Sequence, residues 1–129
     1  MPHAIAEYYL EELVDWNRLG AFYDNELAEL GNKLAEVIQR NTIPNIAARV
    51  EKEQDKLNAV ALKFHQLGTQ IRTQLTTLKT DSTVIDDNLI KKETEKQQNE
   101  LRRNMQLVEK EYVDTKYDCY NFLSGTLRK

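Results

Sequence analysis

Few side chains in this 129-residue chain are of the types that do chemistry. The histidines are His3 and His65, the single cysteine is Cys119, and Glu53 stands where an apolar residue is expected. Metal sites in helical bundles use Glu-x-x-His pairs on facing helices, and the sequence contains no such pair. His65 also has no histidine or glutamate at a ligand-like offset. We therefore predict no catalytic residue, no metal site and no cofactor.

Cys119 and Glu53 both fall on apolar stripes of predicted helices. Cys119 lies between Thr115 and Phe122 on such a stripe, which favours a small core residue over a nucleophile. Glu53 could fix the helix register, pair with a basic partner or contact a ligand. Its stem can also pack while its carboxylate reaches solvent. We favour the packing interpretation for both residues.

The composition excludes several classes of protein. Hydrophobic residues make up 40% of the chain and charged residues 30%, with four glycines and two prolines, which is too little punctuation for a turn-rich β protein. The net charge is −3, and the lysines of the third helix are interleaved with glutamates, so we expect no nucleic-acid partner. No apolar run is long enough for a membrane span. A single cysteine and an N-terminus without a basic and then apolar leader favour the cytoplasm.

Apolar residues recur at alternating spacings of three and four, the pattern of long helices that pack through a heptad seam. The pattern predicts helices over about residues 4–41, 43–79 and 83–124, joined near Pro44 and near Asp81, Ser82 and Thr83. One of these last three residues can cap the third helix, and Ser124 and Gly125 are expected to end it. Short connections make consecutive helices antiparallel. The fold class is therefore all-α, one domain over 1–129, an antiparallel three-helix bundle with coiled-coil-like packing. The three predicted seams are Tyr9, Leu13, Trp16, Gly20, Tyr23, Leu27, Leu30, Leu34 and Val37; Ile43, Ile46, Val50, Glu53, Leu57, Val60, Phe64, Leu67, Ile71, Gln74 and Leu78; Leu101, Met105, Val108, Tyr112, Thr115, Cys119 and Phe122.

The third helix is predicted to cover the other two unevenly. Residues 91–100, KKETEKQQNE, contain no apolar side chain. With helices of equal length, this stretch would face residues 64–72 of the second helix and 13–21 of the first, where Gly20 and Gly68 let the backbones approach closely. The middle layer would then be either filled by the bulk of Trp16 or left open for a partner helix. The candidate interaction surface consists of Trp16, Leu19, Phe64, Leu67 and Ile71.

Residues 13–42 resemble a group of small helical proteins of Bacteroidetes bacteria. The matching residues lie in the segment LVDWNRLGAFYDNELAELGNKLAEVIQRNT, and include a tryptophan near its start, a central Phe-Tyr-x-x-Glu-Leu motif and a leucine-rich end followed by Asn-Thr. The resemblance implies a bacterial cytosolic bundle. It carries over no site residue, because the group has no assigned activity. The residues concerned are Trp16, Phe22, Tyr23, Glu26, Leu27, Leu30, Leu34, Asn41 and Thr42.

These observations favour a non-enzymatic interaction or scaffold protein that acts through an apolar helical surface. The partner would be another protein or a second copy of the chain, giving a homodimer. Two alternatives stay open at this point. One is a bundle that binds a small molecule or a metal, and the other is an accessory protein at nucleic acid or a membrane surface.

Overall fold

The chain folds as three long helices in a computed structural model that describes residues 5–40, 43–82 and 92–127. They are α1 (Ile5–Arg40), α2 (Ile46–Ser82) and α3 (Lys92–Leu127), and no strand occurs within these ranges. All three pack against one another, which confirms the predicted all-α three-helix bundle. A helix of 36 residues such as α1 is about 54 Å long. None of the three, over the residues described, carries a stretch apolar enough to cross a membrane.

The turn between α1 and α2 explains why α2 begins three residues later than predicted. Pro44 and Asn45 form a turn, and the Ile46 amide donates to the Ile43 carbonyl at 3.2 Å. Asn45 has a φ of 64°, a left-handed conformation that asparagine tolerates better than most residues. The Asn45 carbonyl then accepts from the Arg49 amide at 3.1 Å, which starts the helix.

Two predicted helix ends were wrong. Asp81 and Ser82 were expected to cap α3, but α2 continues through both of them. Gly125 was expected to end α3, but the helix continues to Leu127 and no glycine has a positive φ. A glycine stops a helix by adopting the left-handed conformation, and Gly125 stays helical. The predicted start of α3 at residue 83, with Thr83 as a possible cap, lies outside the described residues.

The seams form one apolar core along the bundle, anchored near its centre by three stacked rings. The ring centre of Tyr23 lies 5.1 Å from that of Phe64 and 4.5 Å from that of Tyr112. Both phenols donate across the α1–α3 contact, Tyr23 to Glu109 at 2.6 Å and Tyr112 to Glu26 at 2.8 Å. Burial and the neighbouring carboxylate raise the pKa of Tyr23 to about 12, so its proton stays in this bond at neutral pH.

Candidate functional site

A groove lies between α1 and α2, and it is lined by Gly20 on α1 and Gly68 on α2. Its volume is about 430 Å³. The apolar part of its lining consists of the half-buried Trp16 and the buried Phe64, Leu67, Ile71 and Met105. Met105 is the one lining residue that α3 contributes, so α3 forms part of the groove floor.

Two glycines line the groove, Gly20 at a seam position of α1 and Gly68 beside the seam of α2. A Cβ added at Gly20 would meet no atom within 4 Å, so the space beside it is empty. At Gly68, a Cβ would lie 3.1 Å from Nη1 of Arg72. The guanidinium one turn further along α2 therefore folds back over the bare backbone of Gly68. Glycine inside a helix lowers stability by about 0.5–1 kcal/mol relative to alanine. At Gly20 no close packing within the bundle offsets that cost, because the space beside it is empty.

A second depression adjoins this groove at Asp24, which lines both. Its α1 wall includes Ala28, Gly31 and Ala35, and its α2 wall includes Asn58 and Ala61. Small side chains therefore continue along the α1–α2 contact after the groove. From Trp16 to Ala35 the combined channel follows α1 for about 28 Å at 1.5 Å per residue.

The charges around the groove lie on both helices. Nε2 of His65 lies 3.1 Å from Oδ1 of Asp24, which joins α2 to α1 at the rim. The Thr69 hydroxyl donates to the His65 carbonyl of the same helix at 3.2 Å, so its proton is already used in a hydrogen bond. Within the described part of the chain, no carboxylate pairs with Arg72. The groove therefore combines an apolar floor with one unpaired cation.

The five residues predicted as an interaction surface differ in their exposure and in whether they line the groove. Phe64, Leu67 and Ile71 are buried in the core and form the groove floor, and Trp16 is half-buried at its edge. Leu19 is 37% exposed and does not line the groove. Four of the five are therefore brought together, but only Trp16 offers a partly free side chain. Whether they form an interaction surface stays a prediction.

The register predicted for α3 was wrong. Gln98 contacts Tyr9 and Glu12 of α1 and Gln74 of α2, so the polar stretch lies nearer one end of the bundle than its middle. The predicted register placed residues 91–100 against residues 64–72 of the second helix, whereas Gln98 faces Gln74. At the layer expected to lack apolar cover, α3 instead places the buried Met105. The open side of this layer is the one between α1 and α2.

The polar stretch of α3 forms a buried hydrogen-bonded layer that the sequence did not reveal. Gln98 is 0% exposed, and its amide donates to the Tyr9 carbonyl at 3.2 Å and to Glu12 at 3.1 Å. Gln74 donates to the Gln98 oxygen at 3.3 Å, and Arg102 donates two bonds to Glu12, at 2.8 and 2.6 Å. Burial raises the pKa of Glu12, but hydrogen bonds from Arg102 and Gln98 outweigh it and leave that pKa below its ordinary value. The one feature of the sequence that pointed to this polar layer was Gln74, a polar residue at a seam position of α2.

The other candidates for chemistry are structural. Cys119 is buried, and burial together with the charge of Glu53 raises the pKa of its thiol to about 11, so it packs as predicted. The stem of Glu53 is also buried, but its carboxylate meets Nζ of Lys56 at 2.8 Å rather than open solvent. Among the residues that the structure describes, no three histidine, cysteine, aspartate or glutamate side chains form a metal-binding cluster.

Comparison of the chain with family models, curated proteins and solved structures gives no match. The geometry and charge of the groove are therefore the basis on which its function is argued.

Proposed function

We propose that this chain is a non-enzymatic helical interaction or scaffold protein that receives a partner helix in the groove between α1 and α2. The observation that carries the proposal is the open space at the Gly20–Gly68 layer beside the half-buried Trp16. The partner is a helix of another protein, with a second copy of this chain as the alternative occupant.

Three properties of the groove support a helix as the occupant. The groove and the adjoining depression together follow α1 for about 28 Å, which suits a linear ligand better than a compact one. Helices dock into apolar grooves through side chains spaced three and four residues apart, and bare backbone at Gly20 allows a close approach. Tryptophan is among the residue types that most often anchor such contacts, and Trp16 stands at the edge.

The same proposal places the protein in the cytoplasm of a bacterium. A single cysteine that is buried in the core suits a reducing compartment. The resemblance of residues 13–42 to helical proteins of Bacteroidetes supports a bacterial origin.

The experiment fills the groove without disturbing the core. Gly20→Leu adds a side chain where a Cβ meets nothing within 4 Å, and Gly125→Leu adds the same side chain on α3, where a Cβ is equally unobstructed. Each chain is immobilised and panned against a displayed library of helical peptides, while light scattering reports the mass of each chain alone. We expect peptides that bind the wild type and Gly125→Leu but lose at least tenfold in affinity for Gly20→Leu, the ~1.4 kcal/mol that one excluded anchor residue represents.

A wild type that stays monomeric by light scattering and enriches no peptide would end the proposal. Peptides that bind wild type and Gly20→Leu equally would place the working surface elsewhere and would also contradict it.

A further inference from the structure

We infer that the partner helix carries a carboxylate one turn away from the apolar side chain that it inserts at the Gly20–Gly68 layer, and that this carboxylate pairs with Arg72. This inference rests on the proposed function and specifies the chemistry of the partner.

The first support is the sign of the charge along α2. From Lys56 to Thr80 the helix contains no aspartate or glutamate, although the whole chain has a net charge of −3. Two lysines of this stretch already have partners, since Lys56 pairs with Glu53 and Lys63 pairs with Glu111. Arg72 is the basic residue of this stretch that lines the groove. Among the described residues of α2 that line the groove, Arg72 is therefore the one lysine or arginine, on a chain that is acidic overall.

The second support is the position of the guanidinium. Its Nη1, Nη2 and Cζ atoms lie 3.1, 3.7 and 3.8 Å from where a Gly68 Cβ would be. The guanidinium of the exposed Arg72 is thus folded back beside the bare backbone at the groove. Guanidinium groups bind carboxylates through two parallel hydrogen bonds, and this one has no carboxylate within the described residues to satisfy it.

The spacing follows from the helix. Arg72 and Gly68 are four residues apart, so they lie one turn apart on the same face of α2. The empty space lies beside Gly20, and the guanidinium lies beside Gly68 on the facing helix. A partner helix in the groove therefore meets both with side chains on one of its faces, and residues three or four apart share a helix face. The sequence signature of the partner is a large apolar residue with aspartate or glutamate three or four residues away.

Charge also argues against a second copy as the occupant. In a symmetric dimer through the groove, the same surface meets itself, so the carboxylate for Arg72 would have to come from the groove lining. Among the described residues the lining contains one carboxylate, Asp24, and it already pairs with His65. A different protein with an acidic helix satisfies Arg72 without breaking that pair.

The test uses helical peptides selected on the wild-type chain from the displayed library. We expect enrichment of aspartate or glutamate three or four residues from a leucine, phenylalanine or tryptophan. Arg72→Glu should weaken binding of such a peptide at least tenfold, and changing the peptide carboxylate to lysine should restore binding to Arg72→Glu. Arg103→Glu is the matched control, because Arg103 is exposed on α3 and lies outside the groove, and it should leave the affinity unchanged.

The outcomes separate this inference from the proposed function. Peptides that bind in the groove but show no acidic enrichment, or that lose affinity equally with Arg72→Glu and Arg103→Glu, would overturn the inference and leave the interaction function standing. Failure of a monomeric wild type to enrich any peptide would overturn both. A wild type that is dimeric by light scattering and becomes monomeric in Gly20→Leu would identify a second copy as the occupant and overturn the inference.

Discussion

Replacing both glutamines of the buried polar layer should harm the bundle less than replacing one. Gln74→Leu alone removes two hydrogen bonds, to the Thr94 carbonyl at 2.9 Å and to the Gln98 oxygen at 3.3 Å. The Thr94 carbonyl lies within α3 and keeps its helical donor. The Gln98 oxygen does not, and because Gln98 is 0% exposed, water cannot replace the lost donor.

The magnitude follows from that orphaned oxygen. A buried acceptor left without a donor costs about 1–3 kcal/mol, which leucine burial offsets only in part, so we expect Gln74→Leu to lower the free energy of unfolding by about 1–2 kcal/mol. In the double variant with Gln98→Leu, no amide is left unsatisfied. Its free energy of unfolding should lie within about 1 kcal/mol of the wild type.

The assay is guanidinium unfolding of the wild type, both single variants and the double variant, with the coupling energy taken from the cycle. Gln70→Leu, an exposed glutamine on the same helix, is the control and should change stability by less than about 0.5 kcal/mol. Additive effects of the two core substitutions would refute the reasoning, since they would mean that Gln74 and Gln98 do not satisfy each other.

The remaining predictions concern the glycines, the loss of stability at acid pH and the thiol of Cys119. Gly20→Ala should raise the free energy of unfolding by about 0.5–1 kcal/mol, and Gly68→Ala should gain less because its Cβ must displace the Arg72 guanidinium; thermal unfolding measures both. The pKa of Glu12 is lowered in the folded chain, so its stabilising effect is present above the unfolded value of about 4.5 and is lost as pH falls through the lower folded value. A Glu12→Gln variant should show a shallower loss of stability below pH ~4.5, and an unchanged slope would contradict this. Cys119, with a buried thiol whose pKa is about 11, should react with a maleimide at pH 8 only after denaturant unfolds the chain, and rapid labelling of the folded chain would count against core packing.

The heptad spacing was sufficient to predict the helices and most of their buried face. Leu13, Leu34 and Leu101 lie on the predicted seams and are almost completely buried, because a period of 3.5 residues specifies one face of a helix wherever its partner lies. The end of the α3 seam was missed. Leu123 is buried in place of Phe122, which is half-buried beneath the Arg49 guanidinium.

The relative shift of α3 could not be predicted in the same way. A heptad stripe repeats every seven residues, so sliding one helix along another by seven residues restores nearly the same apolar contacts. Hydrogen bonds choose among these registers, and here Gln74 and Gln98 meet only in one of them. The polar stretch of α3 predicted an opening on the α3 side of this layer, and the two glycines predicted close backbones; the groove instead lies between α1 and α2, where the space beside Gly20 is empty.

The polar docking of the first part of α3 also bears on how the bundle responds to temperature. Between Lys92 and Glu100 the contacts with α1 and α2 come from Thr94 and Gln98 and not from apolar side chains. Unfolding that exposes apolar surface raises the heat capacity, whereas exposing polar surface lowers it slightly. α1 and α2 still bury Leu13 and Leu78 at this end, so its separation should have a smaller heat-capacity change than separation of the opposite end. Cooling, which weakens apolar association, should loosen the opposite end of the rod before this one.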